Sequence, residues 1–139
     1  MPRYCLRRRN GAPPPDRAEP LARVLIVDDE ESDRVVLRTI LQRAGHQVVE
    51  AADGAEALEG YEDKGIEVVV TDLQMHNVHG LELITILRDF TPRPGIIAIS
   101  GTGEDQLDMA HLLGATKTLQ KPVSPEELLA AVDLVLGGE

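Results

Sequence analysis

Four short apolar runs end in polar residues whose types fit together chemically. Val24-Leu25-Ile26-Val27 ends in Asp28-Asp29, Val68-Val69-Val70-Thr71 in Asp72, Ile97-Ala98-Ile99 in Ser100-Gly101, and Thr116–Gln120 in Lys121-Pro122. Three carboxylates brought together repel one another and need a neutralising cation. Mg²⁺ is a hard ion that takes oxygen ligands, uses few carboxylates and leaves positions for phosphate oxygens. Lys121 suits a phosphoryl oxygen as a point charge, and the Ser100 hydroxyl suits another as a donor. A carboxylate nucleophile, a metal and fixed donors where charge spreads are the parts phosphoryl transfer requires.

These groups meet only if the apolar runs lie side by side. Strands are predicted at Arg23–Val27, Val48–Ala51, Val68–Thr71, Ile96–Ser100 and Thr116–Gln120, the last being the weakest. The first four are short and rich in Val and Ile, as strands buried on both faces are. Helical spacing separates them. Leu37, Ile40, Leu41 and Ala44 share one face, with Gly45 as the stop. Ala57, Leu58 and Tyr61 mark a second helix, Leu83, Ile84 and Leu87 a third, and Gln106–Leu113, closed by Gly114, a fourth. Pro125–Leu136 is the last, with Ser124 as N-cap and Glu127 as capping-box acid. Strand and helix alternating five times imply an α/β fold: a doubly wound, five-stranded parallel sheet with helices on both faces. Such sheets bind ligands outside the carboxyl ends of their strands, where Asp28, Asp29, Asp72, Ser100 and Lys121 stand.

Composition narrows the function. At 139 residues, 42% hydrophobic and 27% charged, the chain fits one globular domain. Residues 1–20 hold five arginines against two acids and include Pro13-Pro14-Pro15. They read as a basic, disordered leader, followed by a domain over residues 21–137. The net charge of −10 is therefore +3 on residues 1–20 and −13 on the rest, an acidic body that disfavours nucleic acid and membrane surfaces as direct partners. With 2% aromatic residues, base-stacking platforms are lacking. No apolar run reaches the roughly 18 residues of a membrane span. No signal-peptide core follows Arg7-Arg8-Arg9, and Cys5 has no internal disulfide partner, so a cytoplasmic location is expected. His46, His76, His79 and His111 lack convincing metal spacing, and His76 and His79 read as surface loop residues.

The chain resembles the receiver domains of two-component response regulators. The resemblance covers about residues 21–137 and rests on Val-Leu-Ile-Val-Asp-Asp-Glu at 24–30, Val-Val-Val-Thr-Asp-Leu-Gln-Met at 68–75, Gly80, Ile-Ser-Gly at 99–101 and Lys121-Pro122. It implies a flavodoxin-like (βα)5 sheet in the order 2-1-3-4-5. It also implies that Asp72 accepts a phosphoryl group from a histidine kinase or phosphotransfer protein, with Ser100 as switch hydroxyl and Lys121 as phosphate-binding lysine. The implied Mg²⁺ ligands are Asp28, Asp29, Asp72 and the backbone carbonyl of Gln74, with Asp28 acting through water. The Lys121-Pro122 bond is expected to be cis. The output would pass to a downstream protein through the fourth helix, fifth strand and fifth helix. The chain departs from the family at His76, where proline is frequent, at His79, where aspartate is, and at Thr118, where an aromatic switch residue is usual.

Two other functions compete with a phosphorylated switch. Thr118 is compatible with an interaction module that works without phosphorylation, though the full Asp28, Asp29, Asp72, Ser100 and Lys121 set argues against it. An aspartate-nucleophile phosphatase would want a second aspartate two residues after Asp72, where Gln74 stands. No Gly-rich Lys-Ser/Thr loop supports nucleotide hydrolysis. The expectation is a signalling switch that catalyses only its own phosphorylation and dephosphorylation, rather than a metabolic enzyme.

Overall fold

Five parallel strands, β1 (Arg23–Val27), β2 (Gln47–Ala51), β3 (Val68–Asp72), β4 (Gly95–Ser100) and β5 (Lys117–Gln120), form one sheet in the order β2-β1-β3-β4-β5. The structure is a computed structural model and describes residues 21–74, 80–101 and 104–137. The expected leader lies outside these residues, as do His76 and His79.

The helices are α1 (Glu31–Arg43), α2 (Gly54–Leu58), α3 (Gly80–Leu87), α4 (Glu104–Leu113) and α5 (Pro125–Gly137). They cover both faces of the sheet, and the two-residue alternation of each strand sorts its side chains between two cores. Leu25, Val27, Val69, Ile96 and Ala98 pack with Leu83, Ile84, Leu87 and Ala110 on the α2–α4 side. Val24, Ile26, Val68, Val70, Ile97 and Ile99 pack with Leu37, Leu41, Leu128 and Val132 on the α1 and α5 side. At the sheet edge, Leu119 is the one buried residue of β5, which is why that run reads weakly. Among the described residues no helix is long and apolar enough to cross a membrane.

Local signals act as expected at the helix ends. Ser124 and Glu127 form the reciprocal capping box, each backbone N–H donating to the other's side chain at 3.1 Å. Gly45 and Gly114, with φ of 100° and 134°, follow α1 and α4 in a backbone region that favours glycine. The Lys121-Pro122 bond is cis.

The second helix departs from the expectation. It ends at Leu58, and Tyr61 lies instead on a separate 3-10 turn over Tyr61–Asp63. Gly60 stands between them in the left-handed region, with φ 64°, which breaks the α-helical hydrogen-bond ladder. Tyr61 still reaches the core, packing edge-on against Phe90 at 5.0 Å between ring centroids.

One packing contact ties the fold directly to the polar edge. Gly80 opens α3 against the end of β3, so closely that a Cβ there would collide with the Asp72 carbonyl oxygen and lie 2.6 Å from Leu73 Cα. These are backbone atoms and cannot rotate away. Gly80→Ala is therefore expected to lower stability by about 1–3 kcal/mol, as overpacked sites do. Urea unfolding measures it, and an unchanged midpoint would contradict this close approach.

Candidate functional site

The sheet register brings the polar strand ends together. Val27 of β1 pairs with Thr71 of β3, so Asp28 and Asp72 follow on adjacent strands. Asp72 pairs with Ile99, and Ser100 pairs with Gln120. The Lys121 N–H donates to the Ser100 carbonyl at 2.9 Å, which fixes the start of the β5–α5 loop against β4. β1 and β3 flank the topological switch point, because the chain leaves β1 towards β2 on one side and enters β3 on the other.

Three carboxylates meet there. One oxygen from each of Asp28, Asp29 and Asp72 lies within 4.8 Å of the other two. Asp28 and Asp72 are only 1% and 7% exposed, and Asp29 is half-buried. Local backbone bonds orient two of them. The Glu30 N–H donates to Asp28 Oδ1 at 2.9 Å, and the Gln74 N–H donates to Asp72 Oδ1 at 3.0 Å. Each loop thus satisfies one oxygen and leaves the other for the shared centre. Lys121 Nζ reaches into it, 3.2 Å from Asp72 Oδ2 and 3.9 Å from Asp28 Oδ2. Ser100 is wholly buried at the end of β4. Gln74 is exposed just beyond Asp72. Thr118, half-buried, pairs with Ala98 one strand from the centre.

Sequence reasoning missed three residues of α1, Asp33, Arg34 and Arg38. Lys121 Nζ donates to Asp33 Oδ2 at 3.2 Å, as close as to Asp72. Arg34 donates from one guanidinium nitrogen to the Asp28 carbonyl at 2.6 Å and from Nε to Glu50 Oε1 at 3.3 Å. Arg38 donates to the other Glu50 oxygen at 2.6 Å. This ladder ties the Asp28-Asp29 turn to both α1 and β2. The spacing of Arg34 and Arg38, four apart on one helix face, was the available signal.

Electrostatics follow from burial. Removal from water pushes the Asp28 carboxyl up to about 6, with the neighbouring charges of Asp72 and Asp33 adding to the rise; the Glu30 N–H and Lys121 oppose it. For Lys121, burial favours the neutral amine, but the Asp72 charge and hydrogen bond, with Asp28 and Asp33, outweigh that and leave its pKa raised. Lys121 is therefore an ammonium at neutral pH.

The donor set fits a hard divalent cation. Three carboxylate oxygens converge, two of the carboxylates are buried, and one ammonium cannot neutralise them all. The buried pair is held by backbone N–H donors and so is already shaped for a ligand on its remaining oxygens.

Comparison with known proteins agrees with this geometry. The response regulator receiver domain family matches residues 24–133, and the chain belongs to that family. It is 32% identical over 115 residues to the chemotaxis protein CheY of Thermotoga maritima, covering 81% of this chain and 96% of that protein. It is 34% identical over 114 residues to the CAI-1 autoinducer sensor kinase/phosphatase CqsS of Vibrio cholerae, covering 79% of this chain but 17% of that protein. A solved structure of a putative response regulator from Chloroflexus aurantiacus matches with a TM-score of 0.80 at 27% identity, covering 86% of this chain and 99% of that one. The fold is thus the flavodoxin-like receiver fold, and the chain is a receiver domain of two-component systems.

The position of Asp28 has a consequence for metal-free protein. A carboxyl raised from 3.8 to about 6 binds protons more readily in the folded state than in the unfolded one. Its stabilising contribution is complete below 3.8 and is lost as pH rises through about 6. Without divalent cations, Asp28→Asn is expected to flatten stability between those values, as read by urea midpoints across pH. An identical pH profile in the variant would contradict the burial of that charge.

Proposed function

We propose that Asp72 is the phosphoacceptor of a signalling switch, receiving its phosphoryl group from a phosphohistidine of a histidine kinase or phosphotransfer protein. The observation that carries this reading is the 3.2 Å approach of Lys121 Nζ to Asp72 Oδ2 beside the Asp28, Asp29 and Asp72 cluster. A carboxylate oxygen of Asp72 attacks phosphorus, the O–P bond forms as the N–P bond breaks, and the imidazole nitrogen leaves with the electron pair and is protonated. Lys121 is placed to donate to the phosphoryl oxygens as their charge grows, and the Ser100 hydroxyl to bind another once the group is in place. Mg²⁺ held by Asp29 and Asp72, by Asp28 through water and by the Gln74 carbonyl would neutralise the clustered carboxylates and the phosphoryl oxygens.

The product gains a group of charge about −1.5 to −2. Recruiting Ser100 and Lys121 to it shifts the chain after β4 and the loop before α5, so the α4, β5 and α5 face is the proposed surface for a downstream protein. Thr118 offers little bulk to relocate on that face. We therefore assign the switch a loop-borne response smaller than an aromatic at that position would give. The domain works on its own phosphorylation and dephosphorylation, in the cytoplasm, rather than on a metabolite.

Incubation with Mg²⁺ and phosphoramidate is expected to add one phosphoryl group, read by intact mass, and peptide mapping should place it on Asp72. Asp72→Asn should keep the fold and lose the label, and Asp29→Asn should lose both Mg²⁺ binding and the label. Modification mapped to Asp28 or Asp29 in the native chain would overturn the choice of nucleophile. Normal labelling of Asp29→Asn without excess metal would overturn the metal assignment.

A further inference from the structure

Lys121 is shared, and the second claimant does not come from a strand end. Its Nζ lies 3.2 Å from Asp33 Oδ2 and 3.2 Å from Asp72 Oδ2. Asp33 stands in the first turn of α1, where an acid is favoured by the helix dipole. The dipole accounts for the sign of the charge but not for an ion pair with a residue 88 positions away. Its side chain is 44% exposed, against 7% for Asp72. Asp33 also borders an open cavity of about 420 Å³ together with Asp28, Val36, Lys121 and Pro122. It is thus a water-facing carboxylate beside the ammonium that the buried acceptor needs.

The geometry points to Asp33 as a positioning residue that competes with Asp72 for Lys121 and so opposes loading of the site with a phosphoryl group. This inference rests on the phosphoacceptor reading of Asp72. Transfer replaces a carboxylate of charge −1 by an acyl phosphate of about −1.5 to −2, so the negative charge at the centre grows. Asp33 repels that added charge. It also accepts one of the three Lys121 donors, and an ammonium that turns towards phosphoryl oxygens must loosen this bond. Removing the charge of Asp33 frees Lys121 for the acceptor. Because the Asp33 side chain is substantially water-exposed, the gain is that of an exposed ion pair, about two- to fivefold in affinity.

The test is binding of beryllofluoride, a phosphoryl mimic, at saturating Mg²⁺, followed by amide NMR in the native chain, Asp33→Asn, Asp33→Glu and Asp72→Asn. Asp33→Asn is expected to reach half-saturation at about two- to fivefold lower beryllofluoride, with the difference shrinking as salt is raised. Asp33→Glu, which restores the charge, should stay near the native value. Equal binding by Asp33→Asn, while the native chain binds normally, would overturn the inference; weaker binding would overturn it and show Asp33 holding Lys121 in place for the acceptor. Failure of the native chain to bind, or unchanged binding by Asp72→Asn, would instead overturn the phosphoacceptor reading itself.

Discussion

Everything at the carboxyl edge of the sheet depends on one constraint: two buried carboxylates on adjacent strands, Asp28 and Asp72, must coexist. Burial alone drives Asp28 towards its neutral form, and each negative neighbour drives it further. The Lys121 ammonium, reaching both from the β5–α5 loop, is the fixed positive charge that offsets this repulsion. The remainder of the edge serves the same balance. Backbone N–H groups of Glu30 and Gln74 each take one carboxylate oxygen, and Arg34 holds the Asp28 carbonyl from α1. One ammonium against three converging acids leaves a deficit of positive charge, and a divalent cation with an incoming phosphoryl group makes chemical sense there.

The fold supplies this arrangement through apolar packing rather than through polar contacts. Strands buried on both faces leave no freedom of register, since a slip of one residue would exchange the two cores. With the register fixed, Asp28, Asp72 and Ser100 have no other place to be. Gly80 adds a second restraint, because its missing side chain lets α3 start against the Asp72 backbone. Stability and site geometry are therefore coupled at the end of β3.

The strand ends were legible in the sequence because the chemistry-bearing residues directly follow unbroken Val and Ile runs. Lys121 was legible only as one of a set, since a lone surface lysine carries no signal. Strand limits moved by a residue where pairing extends the ladder, as at Gln47 opposite Arg23 and Gly95 opposite Val68. The second helix was overdrawn because apolar spacing at Ala57, Leu58 and Tyr61 looks helical, while the left-handed backbone at Gly60 that divides it is a conformational fact. Asp33 was hidden for a related reason. An acid in a first helical turn has a sufficient local explanation, and its partner lies across the fold.

In the proposed reaction Asp72, served by Lys121, receives the phosphoryl group beside a metal held by the neighbouring aspartates. A crystal structure of the protein with Mg²⁺ and beryllofluoride tests it most directly. Beryllium is expected bonded to an Asp72 carboxylate oxygen, with fluorines contacted by Lys121 Nζ and Ser100 Oγ and the cation on Asp29 and Asp72. An adduct on another carboxylate, or an Asp72 adduct that Lys121 does not touch, would contradict it.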